Sequence, residues 1–312
     1  MNVWPSVRAA PPAERLLRLI LYFDIFYHPL TSSELAALAF EHKVEGDEVV
    51  YLLDPWLKTG ELETLEGYLF PRGRSAGVGK RQEKARHSQT LWKKVPTSGA
   101  ILSSFPFIRG LAVTGTLAKE AALPDSDVDF LVFTAQGRVW LCRTMLAVTR
   151  RVLPHHQRET LCTNVFLDET HLTYDQQNPY VAAEIGLSRP VYSPELVESF
   201  LRANPWVRDF LPGMIQLNAA PATSSGSVAP GLTRRMEQLL SGRLGDWAEA
   251  ALPHLWATFW ALKHRELPSR DRQLRFRVTP HVSTNHLNNF QVKVLNAYRE
   301  RLHTFNLSTD EG

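Results

Sequence analysis

The sequence predicts an α+β protein with an N-terminal helical module closed by a hairpin, a small mixed-sheet core and a helical C-terminal region. Three observations carry that prediction. Apolar residues recur at helical spacing from Ala13 to Phe26 and again over the last part of the chain. Between these stretches, short apolar runs of strand length alternate with one amphipathic helix. A length of 312 residues, 44% apolar and 21% charged, is enough for two or three cores.

The N-terminal module is expected over residues 1–73. Its first helix carries Leu16, Leu17, Leu19, Ile20, Tyr22, Phe23 and Phe26 at helical spacing, and Pro29 ends it. Thr31-Ser32-Ser33-Glu34 has the form of a capping box, opening a second helix that runs through Phe40. A third helix spans Gly46 to Leu57, with Pro55 making its last turn irregular, and stops at Thr59-Gly60. Leu62 to Phe70 alternates around a Glu-Gly turn and predicts a hairpin. Three helices and a hairpin make a winged helix-turn-helix. Its third helix holds Asp47, Glu48 and Asp54 but no Lys or Arg, whereas a helix that reads DNA meets phosphates and base edges with cations or amides. Specific DNA binding is therefore not expected, and a protein-docking or intramolecular role is.

Residues 74–97 form a basic connector, with seven Lys/Arg against Glu83 between Arg74 and Val95. A solvated face and a phosphate-contacting face are both open readings of it. The whole chain has a net charge of only +3, so it is not a polycation. Cys142 and Cys162 cannot make a disulfide framework, and no Cys/His cluster has zinc spacing. The start of the chain lacks a leader-like pattern and no apolar run has membrane-spanning length. A reducing, cytoplasmic setting without a membrane is the expectation.

The core is expected over residues 98–175. Ile108–Val113 and Val128–Phe133 are strands, Val139–Leu153 is a helix, and Thr160–Leu167 is a third strand. From residue 176 to 312 the pattern is helical, including Tyr180–Leu187, Pro194–Arg202, Trp247–Lys263 and Asn288–His303, with a low-complexity break over Pro221–Pro230.

The chemistry concentrates in GLAVTGTLAKEAALPDSDVDFLVF, Gly110 to Phe133. A strand delivers the chain to Gly115, where a missing side chain allows close approach to a phosphate. Thr116 then opens a short helix, Leu117–Ala122, whose hydroxyl and free N–H groups suit an anion. Asp127 and Asp129 sit two apart, so on a strand both carboxylates face one point while Val128 and Phe130 enter the core. Two close carboxylates call for a divalent cation. An acidic turn at Pro124-Asp125-Ser126-Asp127 is the plainer reading, but it does not account for Asp129 inside an apolar strand.

This stretch resembles the nucleotidyltransferase (DNA polymerase beta-like) superfamily, whose hallmark is a Gly-Ser pair followed, one short helix later, by Asp-x-Asp. The pair here is Gly115-Thr116 and the dyad Asp127-Val128-Asp129, preceded by Ser126. The convincing match covers little more than this stretch. The resemblance implies transfer of a nucleoside monophosphate from a nucleoside triphosphate, ATP being the first choice, to a hydroxyl or amine acceptor. That acceptor could be a small molecule, a protein or an RNA. It implies Mg²⁺ held by Asp127 and Asp129, and nucleotide contacts from Gly115, Thr116 and Ser126. The family adds a third carboxylate on a neighbouring strand, where this sequence has Asn164, which offers a metal a carbonyl but no base. Asp168 takes the catalytic role if the strand runs regularly, and Glu159 is a poorer substitute. The alternative is a weak or inactive nucleotide-binding regulator with the winged helix as its output.

Among the other candidates, Arg138 is the best placed to reach a phosphate from the start of the core helix, ahead of Trp140 and Arg143. His155-His156 lacks an acidic partner at metal spacing, and Cys162 reads as a small buried residue. The stretch Lys263–Arg277 is strongly basic and suits either a triphosphate tail, a polyanionic acceptor or a solvated loop.

Overall fold

Helix α1 (Pro12–Asp24) is buried at every position from Leu16 to Asp24, so it is surrounded rather than laid on a surface. Helices α2 (Ser32–Ala39) and α3 (Gly46–Lys58) pack around it. The predicted capping box at α2 is present. The Glu34 N–H donates to Thr31 Oγ1 and the Thr31 N–H to Glu34 Oε2. Strands β2 (Leu62–Leu65) and β3 (Tyr68–Pro71) form the expected hairpin, and β1 (Leu30–Thr31) adds a third strand beside β3. Glu66 and Gly67 both have positive φ, 52° and 80°, the turn that matches strand twist.

The computed structural model describes residues 4–152, 162–213, 230–285 and 290–309. His155, His156, Glu159 and most of the low-complexity break lie outside them. After the hairpin come α4 (Ala76–Trp92) and α5 (Val95–Ser103), then a second sheet. Its strands are β4 (Ile108–Val113), β5 (Asp129–Thr134), β6 (Cys162–Asp168), β7 (Arg189–Tyr192) and β8 (Val282–Thr284). The spatial order is β7-β4-β5-β6-β8. The β5–β6 pair is parallel and the others are antiparallel. Short α6 (Gly115–Ala118) joins β4 to β5, and α7 (Val139–Val152) makes the crossover from β5 toward β6. The chain is thus mixed α+β with two small sheets. The region expected to be purely helical also supplies β7 and β8. Pro190 hid the first, and it is tolerated because β7 is an edge strand that spares one N–H. Three residues, Val-Ser-Thr, were too few to show the second.

Both faces of the second sheet are covered. Leu131, Phe133 and Leu167 face α8 (Pro179–Gly186), α9 (Pro194–Ala203) and α1, and share a core with Tyr298 and Leu302 of α13 (Phe290–Thr304). Phe130, Val132 and Phe166 face α5, α7 and the long α11 (Arg243–Lys263), with Trp140 and Trp260 between them. Alternate residues of one strand serve the two cores, as a period of two requires. Helices α10 (Pro230–Leu240) and α12 (Ser269–Arg275) flank α11.

The basic connector fastens the N-terminal module to the rest. Arg74 and Arg301 donate to the buried Asp24 carboxylate at 2.8 and 2.7 Å. Arg81, itself buried, reaches Glu34 at 2.7 Å and also contacts His28. Lys84 Nζ donates to the Phe26 carbonyl at 2.6 Å. Burial, with Arg81 next, holds the His28 imidazole well below the usual histidine range, so it stays neutral. Among the described residues no helix is long and apolar enough to cross a membrane.

Candidate functional site

Strand β4 ends at Val113, and the Thr114 N–H donates to the Asp129 carbonyl at 2.9 Å. The chain then turns at Gly115, with φ of +70°, a conformation that favours glycine. A Cβ there would lie 2.6 Å from Asp129 Oδ2, so any other residue would have to push that carboxylate aside. The helix that follows is one turn long, shorter than the sequence suggests. Its first N–H is engaged. Gly115 N–H donates to Glu184 Oε2 at 3.1 Å, and Lys119 Nζ holds the other oxygen of that carboxylate. Glu184 comes from α8, across the cavity. A carboxylate of the chain itself thus occupies the seat that an external anion would take.

Asp127 is exposed just before β5 and Asp129 is half-buried at its first position. Both line one cavity of about 480 Å³, within the range of small-molecule sites. Asn164 Nδ2 donates to Asp129 Oδ1 at 2.6 Å. Burial and the neighbouring Glu184 charge push the Asp129 carboxyl up to about 6, with Asp127 adding to the effect and Lys119 opposing it. Burial and Asp129 push the Cys162 thiol up to about 12, which keeps it a neutral, weakly nucleophilic group. The cavity wall continues through Tyr174, Tyr180, Arg275 and Arg277, and through Phe23, Phe26 and His28 of the N-terminal module.

The Asp127, Asp129 and Glu184 carboxylates share this cavity, and Lys119 pairs with one of them. Their oxygens are the ligand type that a hard divalent cation takes. The donor set therefore fits Mg²⁺.

The other expected site residues fall into two groups. Thr116 is exposed on the cavity rim, and Ser126 lines it while also closing the acidic turn, its Oγ accepting the Leu123 N–H at 2.8 Å. Arg138 and Asp168 are not in this cavity. Arg138 donates to Asp246 Oδ1 at 2.6 Å and to the Gly137 carbonyl, beyond the far end of β5. Asp168 pairs in register with Thr134, whereas Asp129 pairs with Cys162. The length of the strand, roughly 16 Å at 3.3 Å per residue, separates the two carboxylates. Parity separates them as well. The register steps from Thr163 to Val165 against consecutive Phe130 and Leu131, so Asn164 is an extra residue in β6. That bulge interrupts the alternation on which a shared face for Asn164 and Asp168 depended. Asp168 instead accepts the Gly137 N–H at 2.8 Å, the Thr170 N–H at 2.9 Å and the Thr170 hydroxyl at 2.7 Å. Arg143 turns inward, caged by Phe166, Trp256 and Trp260 with its guanidinium carbon 4.9–5.3 Å from their ring centres.

Glu184 and Lys119 were missed in the sequence. A lone acid inside the apolar helix PYVAAEIG was the available signal for the first. No protein-family model, curated protein or solved structure matches this chain.

Proposed function

We propose that this chain is a Mg²⁺-dependent nucleotidyltransferase-like protein whose N-terminal winged helix packs against its nucleotide cavity. The observation that carries the reading is the meeting of Asp127, Asp129 and Glu184 around the Gly115 turn in one cavity. Asp127 and Asp129 would hold the cation, with Asn164 orienting Asp129 through its amide. Bound Mg²⁺ supplies charge neutralisation for the phosphates. Gly115 N–H, Thr116 and Lys119 would receive phosphate oxygens once Glu184 swings away. Arg275 and Arg277 face the same space and suit the triphosphate tail or a polyanionic acceptor. In the transfer, an acceptor oxygen bonds to the α-phosphorus, the bond to the bridging oxygen breaks, and pyrophosphate leaves. The displaced Glu184 is the carboxylate able to take the acceptor proton, since Asn164 cannot.

A second reading has its own observation. Asn164 stands in the strand adjacent to Asp129 and donates to it, and Glu184 already fills the anion seat. Both suit a nucleotide-binding regulator with slow or absent turnover, whose acidic α3 face would dock a protein rather than DNA.

One experiment tests both. The full chain is given each labelled nucleoside triphosphate with Mg²⁺ and an extract holding small-molecule, protein and RNA acceptors, and binding and pyrophosphate release are measured together. Binding with release, both lost in Asp129→Asn, supports transfer. Binding without release supports the regulator. Absence of Mg²⁺-dependent nucleotide binding overturns both.

A further inference from the structure

The geometry points to a second metal site, made by Asp168, His171 and His281 at the end of the sheet remote from the cavity, for one divalent transition cation such as Zn²⁺. One ligand atom from each residue lies within 4.8 Å of the other two. His281 Nδ1 is 3.4 Å from Asp168 Oδ2, and His171 Nδ1 is 3.9 Å from Asp168 Oδ1. Zinc bonds of about 2.1 Å meeting at a tetrahedral angle place ligand atoms about 3.4 Å apart, so the cluster needs only a small contraction.

Burial grades across the cluster as a metal site requires. The Asp168 side chain is wholly buried, whereas those of His171 and His281 are 48% and 39% exposed. A fixed oxygen therefore stands at the base and two adjustable imidazoles at the mouth. The base is held by outer partners. Gly137 and Thr170 donate to both Asp168 oxygens, and the Thr170 hydroxyl also lies 2.9 Å from His171 Nδ1. Such outer hydrogen bonds orient metal ligands and tune their basicity.

The two imidazoles lie face to face, with centroids 3.3 Å apart and planes 8° from parallel. The stack brings the two ring edges to the same side of the Asp168 carboxylate. Parallel rings aim their lone pairs side by side, so coordination tilts one exposed ring toward the other's axis. Two imidazoles and one carboxylate suit Zn²⁺ and its neighbours, unlike the oxygen-rich cavity that suits Mg²⁺. Three protein ligands leave a fourth position for water or an external group.

The test is calorimetric titration of the EDTA-treated full chain with Zn²⁺, with Co²⁺ absorption as a report on nitrogen coordination. One equivalent is expected in excess Mg²⁺, which keeps the cavity carboxylates occupied. His171→Ala and His281→Ala should each weaken binding more than about tenfold, and the double variant should abolish it while keeping the far-ultraviolet dichroism of the wild type. Asp129→Asn and a His155→Ala/His156→Ala variant should bind Zn²⁺ as the wild type does. The site is overturned if the wild type takes up no zinc, if the double variant binds as tightly as the wild type, or if the equivalent disappears with His155 and His156 instead.

Discussion

The two ends of the β5–β6 pair each carry an aspartate, and the protein treats them oppositely. At one end Asp129 faces a cavity shared with Asp127 and Glu184, and its carboxyl is pushed up to about 6 by burial and by Glu184. At the other end the Asp168 side chain is also shielded from solvent, yet its carboxyl is held below the usual range. Desolvation there is outweighed by donors from Gly137 and Thr170, with His281 assisting. The difference teaches that burial alone does not decide the charge state of a carboxylate. The count and direction of its donors do. Asp168 is satisfied and holds a loop in place. Asp129 accepts the Asn164 amide and sits beside Glu184, and its carboxyl is raised.

Removing Asp168 should have the largest effect on that contrast. Asp168→Ala strands the Gly137 and Thr170 donors and should cost about 3 kcal/mol, read as a lowered denaturation midpoint in EDTA. The wild-type contribution has a definite pH sign. Because the folded value is depressed, the stabilisation is present above the unfolded value of 3.8 and is lost as pH falls through the folded one. An unchanged midpoint in Asp168→Ala would break the comparison at this end.

Asp129→Asn should move stability the other way, by an amount on the order of 1 kcal/mol after solvent screening. Folded Asp129 holds its proton up to about 6 and the unfolded chain only to 3.8, so the metal-free wild type gains stability as pH falls between those values. The variant should be the more stable at pH 7, and the difference should vanish below about pH 4. Melting curves across pH in EDTA check this, and a variant less stable at pH 7 would contradict the assignment.

The smallest change is Asn164→Asp. It replaces the amide donor to Asp129 with a fourth acid, so metal-free stability at pH 7 should drop by roughly 1 kcal/mol. Mg²⁺ affinity, followed by calorimetry, should rise several-fold. Unchanged Mg²⁺ affinity would mean that Asn164 does not face the cation.

How much of this was legible follows from where each contact is made. The capping box, the Glu-Gly hairpin and the Gly115-to-Asp129 stretch are local, and each was readable because its partners lie close in sequence. The carboxylate opposite Gly115 was not. Glu184 reaches it by the packing of α8, far along the chain, and nothing near Gly115 announces that. Asp168 was misplaced because the parity rule presumes an unbroken strand, and the extra residue at Asn164 breaks it. The cations of the connector were visible, but three of them face inward as fasteners, and only tertiary structure distinguishes that from a solvated face. The basic stretch ending at Arg277 suited a triphosphate tail, a polyanionic acceptor or a solvated loop, and its last two arginines line the cavity.

The clasp between α1 and α13 bears on how the chain acquires this structure. Tyr298 donates its hydroxyl to the Arg18 carbonyl and stacks on Trp4, and Arg301 reaches Asp24, all near opposite ends of the chain. Asp24 therefore lacks one of its two counter-charges until Arg301 of α13, 277 residues further along, has docked. Contacts of such sequence separation raise contact order and slow folding. Helix α1 is therefore completed only when α13 is in place, and its apolar surface stays open to chaperones or to misassembly until then.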